Sequence, residues 1–191
     1  LADLYATCQK YQLRLFIDGA RLGYGLMSAA CEYDLPYVAE HCDVFYIGGT
    51  KVGAMFGEAV VFSGMKAPKY FFTNVKRHGA LLAKGRMLGI QFDTLFTDEL
   101  YFKISKHAIN MAAGIRKIFA KHNIPLAYDS PTNQQFVILS PTLYQALSKL
   151  VAFEIWEKKN EQEIVCRFVT SWATKEEELE ELDKAIEKCM A

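Results

Sequence analysis

Two short apolar runs, each followed at once by a turn that contains glycine, constrain the fold of this chain more than any other feature. The run at residues 13–17 stops at Asp18-Gly19, and the run at residues 44–47 stops at Gly48-Gly49. The segment between the two runs has helical character. Near-continuous apolar strands separated by helices indicate a mostly parallel sheet that is covered on both faces.

The rest of the chain has a different pattern. Residues 66–121 are predicted to be largely helical, and the strands and the last helix that follow them predict a smaller α+β part. The predicted strands cover residues 136–139, 151–156 and 164–169, and the predicted final helix covers residues 175–188. We therefore predict an α/β fold with two domains, residues 1–105 and residues 106–191.

Composition excludes several classes of protein. The chain has 22 basic and 22 acidic side chains, so it lacks the basic field that binds nucleic acid. No apolar run reaches the roughly 18 residues that a membrane span needs. The five cysteines contain no C-x-x-C pair, which argues against a disulfide framework or a zinc site and favours a cytoplasmic location. We expect no nucleic-acid partner, no membrane partner and no metal.

The two strand ends concentrate the residues that can carry chemistry. Ligands of open α/β sheets bind beyond the carboxyl ends of the strands, so Asp18 and Lys51 are predicted to face the same crevice. Glycines on both sides of Lys51 permit the close approach of a flat ligand. A lysine amine in a partly desolvated site is a usable nucleophile. Each feature alone also fits a simple turn or a solvated lysine.

Arg167 is a separate candidate, because it lies between Val165 and Val169 on one face of a predicted strand. A cation among apolar residues is seldom buried without a partner. Two interpretations are open. The guanidinium makes an internal salt bridge, or it binds the carboxylate of a ligand through two hydrogen bonds.

These motifs resemble those of a known family. The segments Ile17-Asp18-Gly19-Ala20-Arg21-Leu22 and Gly49-Thr50-Lys51-Val52-Gly53 are similar to those of low-specificity threonine aldolases and β-eliminating lyases. These are pyridoxal-phosphate enzymes of fold type I. The resemblance implies that Lys51 binds the cofactor covalently and that Asp18 pairs with its ring nitrogen. It also implies that Arg21 lies against the cofactor and the substrate carboxylate, and that Thr50 belongs to the cofactor site.

The resemblance extends to the rest of the chain. The segment from Val165 to Trp172 resembles the family strand whose arginine binds the substrate carboxylate, a role that would fall to Arg167. Arg77 and Lys84 keep the spacing of two family cations that reach the cofactor site of a neighbouring subunit. A homodimer or homotetramer is therefore implied. Family members carry a long segment before the Asp-Gly-Ala-Arg motif, so we expect this chain to be the C-terminal portion of such a fold.

The resemblance implies cleavage of a β-hydroxy-α-amino acid, such as threonine, to glycine and an aldehyde. Two alternatives stay open on the sequence. The first is β-elimination from another amino acid with the same cofactor. The second is a catalytically silent fragment that acts only in assembly.

Overall fold

The structure is a computed structural model that describes residues 1–190. It forms two compact units, the first made of residues 1–26 and 31–103, the second of residues 27–30 and those from 104 onward. The predicted boundary, between residues 105 and 106, lies in the same helix as this division. The apolar pattern of residues 27–30 did not indicate that they belong to the second unit.

The first unit is an α/β structure. Its three strands are β1 (Phe16–Ile17), β2 (Val44–Gly48) and β3 (Glu58–Phe62), in the order β1-β2-β3. Its helices are α1 (Ala2–Lys10), α2 (Leu22–Leu26), α3 (Leu35–Glu40), α4 (Phe71–Arg77) and α5 (Arg86–Phe96). The β1–β2 pairing is parallel, and β3 pairs with β2 in the antiparallel direction. The parallel pairing brings the carboxyl ends of β1 and β2 to the same edge.

Strand β1 is shorter than the predicted run of residues 13–17, and Asp43 explains why. The Asp43 carboxylate accepts a 2.8 Å hydrogen bond from the backbone N–H of Leu15 and a 2.7 Å bond from Arg14. The backbone N–H of Asp43 donates a 3.0 Å bond to the Leu15 carbonyl oxygen. Because Asp43 uses these backbone groups, regular strand pairing begins only at Phe16.

The second unit is an antiparallel sheet with helices. Helix α6 (Leu100–Lys121) begins in the first unit, and α7 (Pro141–Leu147) and α8 (Glu176–Met190) follow. The strands are β4 (Leu126–Tyr128), β5 (Gln134–Leu139), β6 (Glu154–Lys158) and β7 (Ile164–Val169), in the order β4-β5-β7-β6. Strand β7 has the predicted bounds. Strand β6 begins three residues later than predicted, since residue 151 was expected and Glu154 is observed. Strand β4 was not predicted.

The core of the second unit lies between its sheet and its helices. The rings of Phe119 on α6 and Phe168 on β7 meet edge to face, 4.9 Å apart. Leu182 and Ile186 on α8 belong to the same buried cluster. This packing stabilises β7, the strand that carries Arg167.

Two further structural observations concern membranes and thiols. Among residues 1–190, no helix is both long and apolar enough to cross a membrane. All five cysteines, which lie within this range, are free thiols.

Candidate functional site

The ends of β1 and β2 are joined directly through their backbones. The Gly48 N–H donates a 2.9 Å hydrogen bond to the Gly19 carbonyl oxygen. In the parallel register just before this contact, Ile17 lies beside Phe45. The turn that carries Asp18 and the turn that carries Lys51 therefore start from adjacent points on one edge of the sheet.

This contact requires glycine on both sides. A Cβ atom at Gly19 would lie 1.6 Å from the Tyr46 carbonyl oxygen, and one at Gly48 would lie 2.5 Å from the Ala20 carbonyl oxygen. Both neighbours are backbone atoms, so they cannot move aside as a flexible side chain would. The two glycines let the backbones approach and leave the edge of the sheet free of side chains at these positions.

Asp18 follows β1 directly, and its side chain is exposed. Its Oδ1 accepts a 3.0 Å hydrogen bond from the Ala20 N–H and a second bond from the Tyr46 hydroxyl. The pKa of the Asp18 carboxyl is lowered, chiefly by the Tyr46 bond, then by the Ala20 bond, and further by the charges of Lys51 and Arg21. The carboxyl is thus held ionised near the positive charges of Lys51 and Arg21.

Lys51 lies in the turn after β2, and its side chain is exposed. The turn is closed by hydrogen bonds of 2.9 Å from Val52 N–H and 3.0 Å from Ala54 N–H, both to the Gly49 carbonyl oxygen. Val52 is fully buried, and Gly53 has a φ of +94°, which favours glycine. The Lys51 backbone carbonyl accepts a bond from the Tyr24 hydroxyl. The turn anchors the lysine backbone and leaves the ammonium group in solvent.

Glu58 is a site residue that sequence reasoning missed. It lies on β3 beside Gly48, and its carboxylate accepts hydrogen bonds from the Gly49 N–H and, at 3.0 Å, from the Thr50 hydroxyl. Thr50, predicted as a cofactor-binding residue, is therefore held by β3. An acidic residue at the head of an apolar run was the only sequence signal that could have indicated Glu58.

Tyr101 was also missed. Its side chain is fully buried, its oxygen accepts a 3.1 Å bond from the Gly23 N–H, and its hydroxyl donates a 3.1 Å bond to the Gly48 carbonyl oxygen. Burial raises the pKa of this phenol, so it stays protonated. Tyr101 thus links helix α2 to the end of β2.

The remaining predicted residues of the first unit lie around these turns or farther along the chain. Arg21 is half-buried just before α2, and its charge contributes to the lowered pKa of Asp18. Arg77 ends α4, Lys84 precedes α5, and both side chains are exposed. Across residues 1–190, no hydrogen bond or ion pair joins Arg77 or Lys84 to Asp18 or Lys51.

Arg167 lies on β7 in the second unit and makes the internal salt bridge that the sequence left as one interpretation. One guanidinium nitrogen donates a 3.0 Å bond to the side-chain oxygen of Gln134, and another bonds Glu154. The group lies over the Trp156 ring at 5.2 Å from the ring centroid. The Nε atom is buried and has no hydrogen-bond partner within residues 1–190.

A separate cluster on α6 and α8 brings together groups that could bind a metal. His122, Asp183 and Glu187 offer ligand atoms that lie within 4.8 Å of one another. The Lys121 ammonium already bonds Asp183 at 2.7 Å and Glu187 at 2.8 Å, and it lowers the pKa of Asp183. We interpret the cluster as an ion-pair network between two helices.

Comparison with known proteins relates this arrangement to one group. A low-specificity L-threonine aldolase from a Pseudomonas strain is 29% identical over 194 residues, which cover 100% of this chain and 55% of that protein. A structure of a threonine aldolase from Leishmania major matches 100% of this chain with a TM-score of 0.94 and 36% identity, over 56% of its own length. The chain is a relative of the threonine aldolases.

This threonine aldolase relative has the α/β fold of the pyridoxal-phosphate fold type I enzymes, as predicted. A serine palmitoyltransferase from Sphingomonas wittichii shares that fold with a TM-score of 0.68 and 13% identity, over 99% of this chain and 50% of its own. No protein-family model matches the chain. The chain spans just over half the length of the threonine aldolases that it matches.

Proposed function

We propose that this chain is part of a pyridoxal-phosphate-dependent lyase that cleaves a threonine-like β-hydroxy-α-amino acid to glycine and an aldehyde. The observation that carries the proposal is the junction of Gly19 with Gly48, which starts the Asp18 and Lys51 turns from adjacent points in a relative of the threonine aldolases.

The residues present fit the cofactor. An ionised Asp18 is the partner that a protonated ring nitrogen requires, and the amino group of the exposed Lys51 side chain, as the free amine, is accessible to the cofactor aldehyde. Gly19 and Gly48 let the two backbones approach each other, so the Asp18 turn and the Lys51 turn are close enough to serve one cofactor. When bound, pyridoxal phosphate supplies an electron-accepting ring that stabilises the charge left when the Cα–Cβ bond breaks.

Each residue then has a definite task. Lys51 anchors the cofactor through its amine, and Asp18 keeps the proton on the ring nitrogen. Thr50 is fixed by Glu58 next to the anchor and lines the cofactor site. Arg21 in the first unit and Arg167 in the second are each assigned to the substrate carboxylate as separate candidates, since a guanidinium matches a carboxylate through two parallel hydrogen bonds.

The proposal includes assembly. Arg77 and Lys84 are exposed cations, and we assign them to the cofactor site of a second subunit in a homodimer or homotetramer. Light scattering gives the subunit count. If the neutral variant Arg77→Gln bound pyridoxal phosphate as tightly as the unchanged assembly, the assignment of Arg77 to the cofactor site would be wrong.

Reductive labelling tests the cofactor assignment. The protein is incubated with pyridoxal phosphate, reduced with borohydride and digested, and the labelled peptide is identified by mass spectrometry. We expect the label on Lys51 and none in Lys51→Ala. Lys66→Ala is the matched control, because Lys66 is also exposed in the first unit. A label distributed over several lysines would refute the anchor role.

The reaction itself is tested with two substrates. Threonine should yield acetaldehyde and glycine, and an amino acid with a β-leaving group should yield no pyruvate. Pyruvate in the second assay, with no acetaldehyde in the first, would show that the reaction is β-elimination and not aldol cleavage. Lysine labelling with neither product would leave a cofactor-binding protein without lyase activity.

A further inference from the structure

Tyr46 lies on β2 between the two turns of the candidate site and has no role in the function proposed above. Its backbone pairs with Val60 of β3, and its ring packs against the Phe16 ring of β1, with the centroids 6.0 Å apart. The side chain is half-buried. From this position the phenol reaches the end of β1 and donates its hydrogen bond to Oδ1 of Asp18.

The two hydrogen bonds to Asp18 share one acceptor. The Ala20 N–H and the Tyr46 hydroxyl both donate to Oδ1, and no hydrogen bond from residues 1–190 reaches Oδ2. Two donors that converge on one oxygen fix the plane of a carboxylate. The other oxygen is thereby left to accept a bond from a ligand.

We propose that Tyr46 is a positioning residue that orients Asp18 so that Oδ2 faces the protonated ring nitrogen of the cofactor. The inference rests on the proposed function, because it presumes that Asp18 meets that nitrogen. It assigns to Tyr46 a task that a phenylalanine of the same shape could not perform, since the hydroxyl is the part of Tyr46 that bonds Oδ1.

The charges around the pair support this role. The Tyr46 bond is the largest cause of the lowered pKa of Asp18, and the charges of Lys51 and Arg21 lower this pKa further. The bond to Asp18 raises the pKa of the Tyr46 phenol, and the charge of Glu58 raises it further. Tyr46 therefore stays a protonated donor under conditions in which Asp18 is an ionised acceptor.

The first test uses the protein without cofactor. Carbon-13 NMR follows the carboxyl titration of Asp18, and the signal is assigned by its loss in Asp18→Asn. We expect an upward shift of the Asp18 pKa in Tyr46→Phe, which keeps the ring and removes the donor. Tyr128→Phe is the matched control, because Tyr128 donates a 3.2 Å bond to a different carboxylate, Glu157, in the second unit.

A second substitution keeps the test decisive if Tyr46→Phe does not fold. Incorporation of 3-fluorotyrosine at position 46 preserves the ring and gives a more acidic hydroxyl, which is a stronger donor. The Asp18 pKa should then move downward. An Asp18 titration that is the same in the unchanged, phenylalanine and fluorotyrosine proteins would overturn the inference.

The last test adds pyridoxal phosphate. Loss of one hydrogen bond should weaken binding by about threefold to tenfold in Tyr46→Phe, with the larger effect at acidic pH, where Asp18 protonates sooner. A shifted titration with unchanged cofactor affinity would overturn the positioning role alone. If the unchanged protein binds no pyridoxal phosphate, the proposed function fails, and the role of Tyr46 toward the ring fails with it.

Discussion

The Gly48 N–H donates a 2.9 Å hydrogen bond to the Gly19 carbonyl oxygen, and this bond links the two segments from which the candidate site is built at the point where their strands end. It continues the parallel pairing of β1 and β2 by one step beyond the last paired residues. Asp18 and Lys51 therefore depend on the same backbone contact, which is itself a target for mutation.

Gly19→Ala should destabilise the first unit. The new Cβ would lie 1.6 Å from the Tyr46 carbonyl oxygen, so β1 and β2 must separate. We expect a loss of at least about 1–3 kcal/mol in the free energy of unfolding, measured by urea denaturation. Gly89→Ala is the control, because its Cβ would meet no atom within 4 Å in the middle of α5. That variant should gain about 0.5–1 kcal/mol.

Asp18→Asn should impair catalysis far more than folding. The amide has no charge with which to hold a proton on the ring nitrogen, so turnover should fall on the order of 10²-fold or more. The unfolding transition should hardly move, because the side chain is exposed. The control is Asp34→Asn, another exposed aspartate, which caps α3 through the Tyr37 N–H. Turnover within about threefold of the unchanged protein would contradict the charge requirement.

Neutralising Glu154 should strengthen substrate binding. Glu154 bonds the guanidinium of Arg167, so it competes with an incoming carboxylate. In Glu154→Gln we expect the KM for the amino acid to fall by up to about fivefold, since exposed ion pairs contribute roughly 0–1 kcal/mol. Glu157→Gln, on the same strand, bonds Tyr128 instead and should leave KM unchanged. A raised KM in Glu154→Gln would mean that Glu154 orients Arg167 for binding.

Asp43 should make the free energy of unfolding of the first unit depend on pH in the acidic range. The Leu15 N–H bond, then the Arg14 bond, holds the pKa of this buried carboxyl below its ordinary value of 3.8. A depressed folded pKa adds stability above that ordinary value, and the gain is lost as the pH falls toward the folded pKa. Urea unfolding from neutral pH to about pH 3 should therefore show a smaller decline in Asp43→Asn. An equal decline in both proteins would exclude Asp43 as the cause.

The parts of the fold and site that were predictable are those set by neighbours in sequence. The apolar pattern gave β7 its observed bounds, and the parallel topology placed Asp18 and Lys51 at one edge. Strand β4 was not predicted because it has only three residues, too few to show an alternation of apolar and polar side chains.

The contacts that were missed join residues distant in sequence. Tyr46 meets Asp18 across 28 positions, and Tyr101 meets Gly48 across 53. Neither tyrosine differs in local pattern from an ordinary core residue. The salt bridge of Arg167 was one of two open interpretations, but its partner depends on the β6–β7 register, which brings Glu154 beside it.

The backbone junction also limits how this site can evolve. Wherever a Cβ atom would collide with a main-chain oxygen, as at Gly19 and Gly48, every other amino acid is excluded regardless of its chemistry. In a mutant library made to change substrate preference, variants with a substitution at either glycine would be lost through misfolding before any selection for activity. Diversity introduced at exposed or half-buried side chains, such as Thr50 and Arg21, leaves the scaffold intact. Changes in specificity are therefore to be sought at such side chains and not at the two glycines.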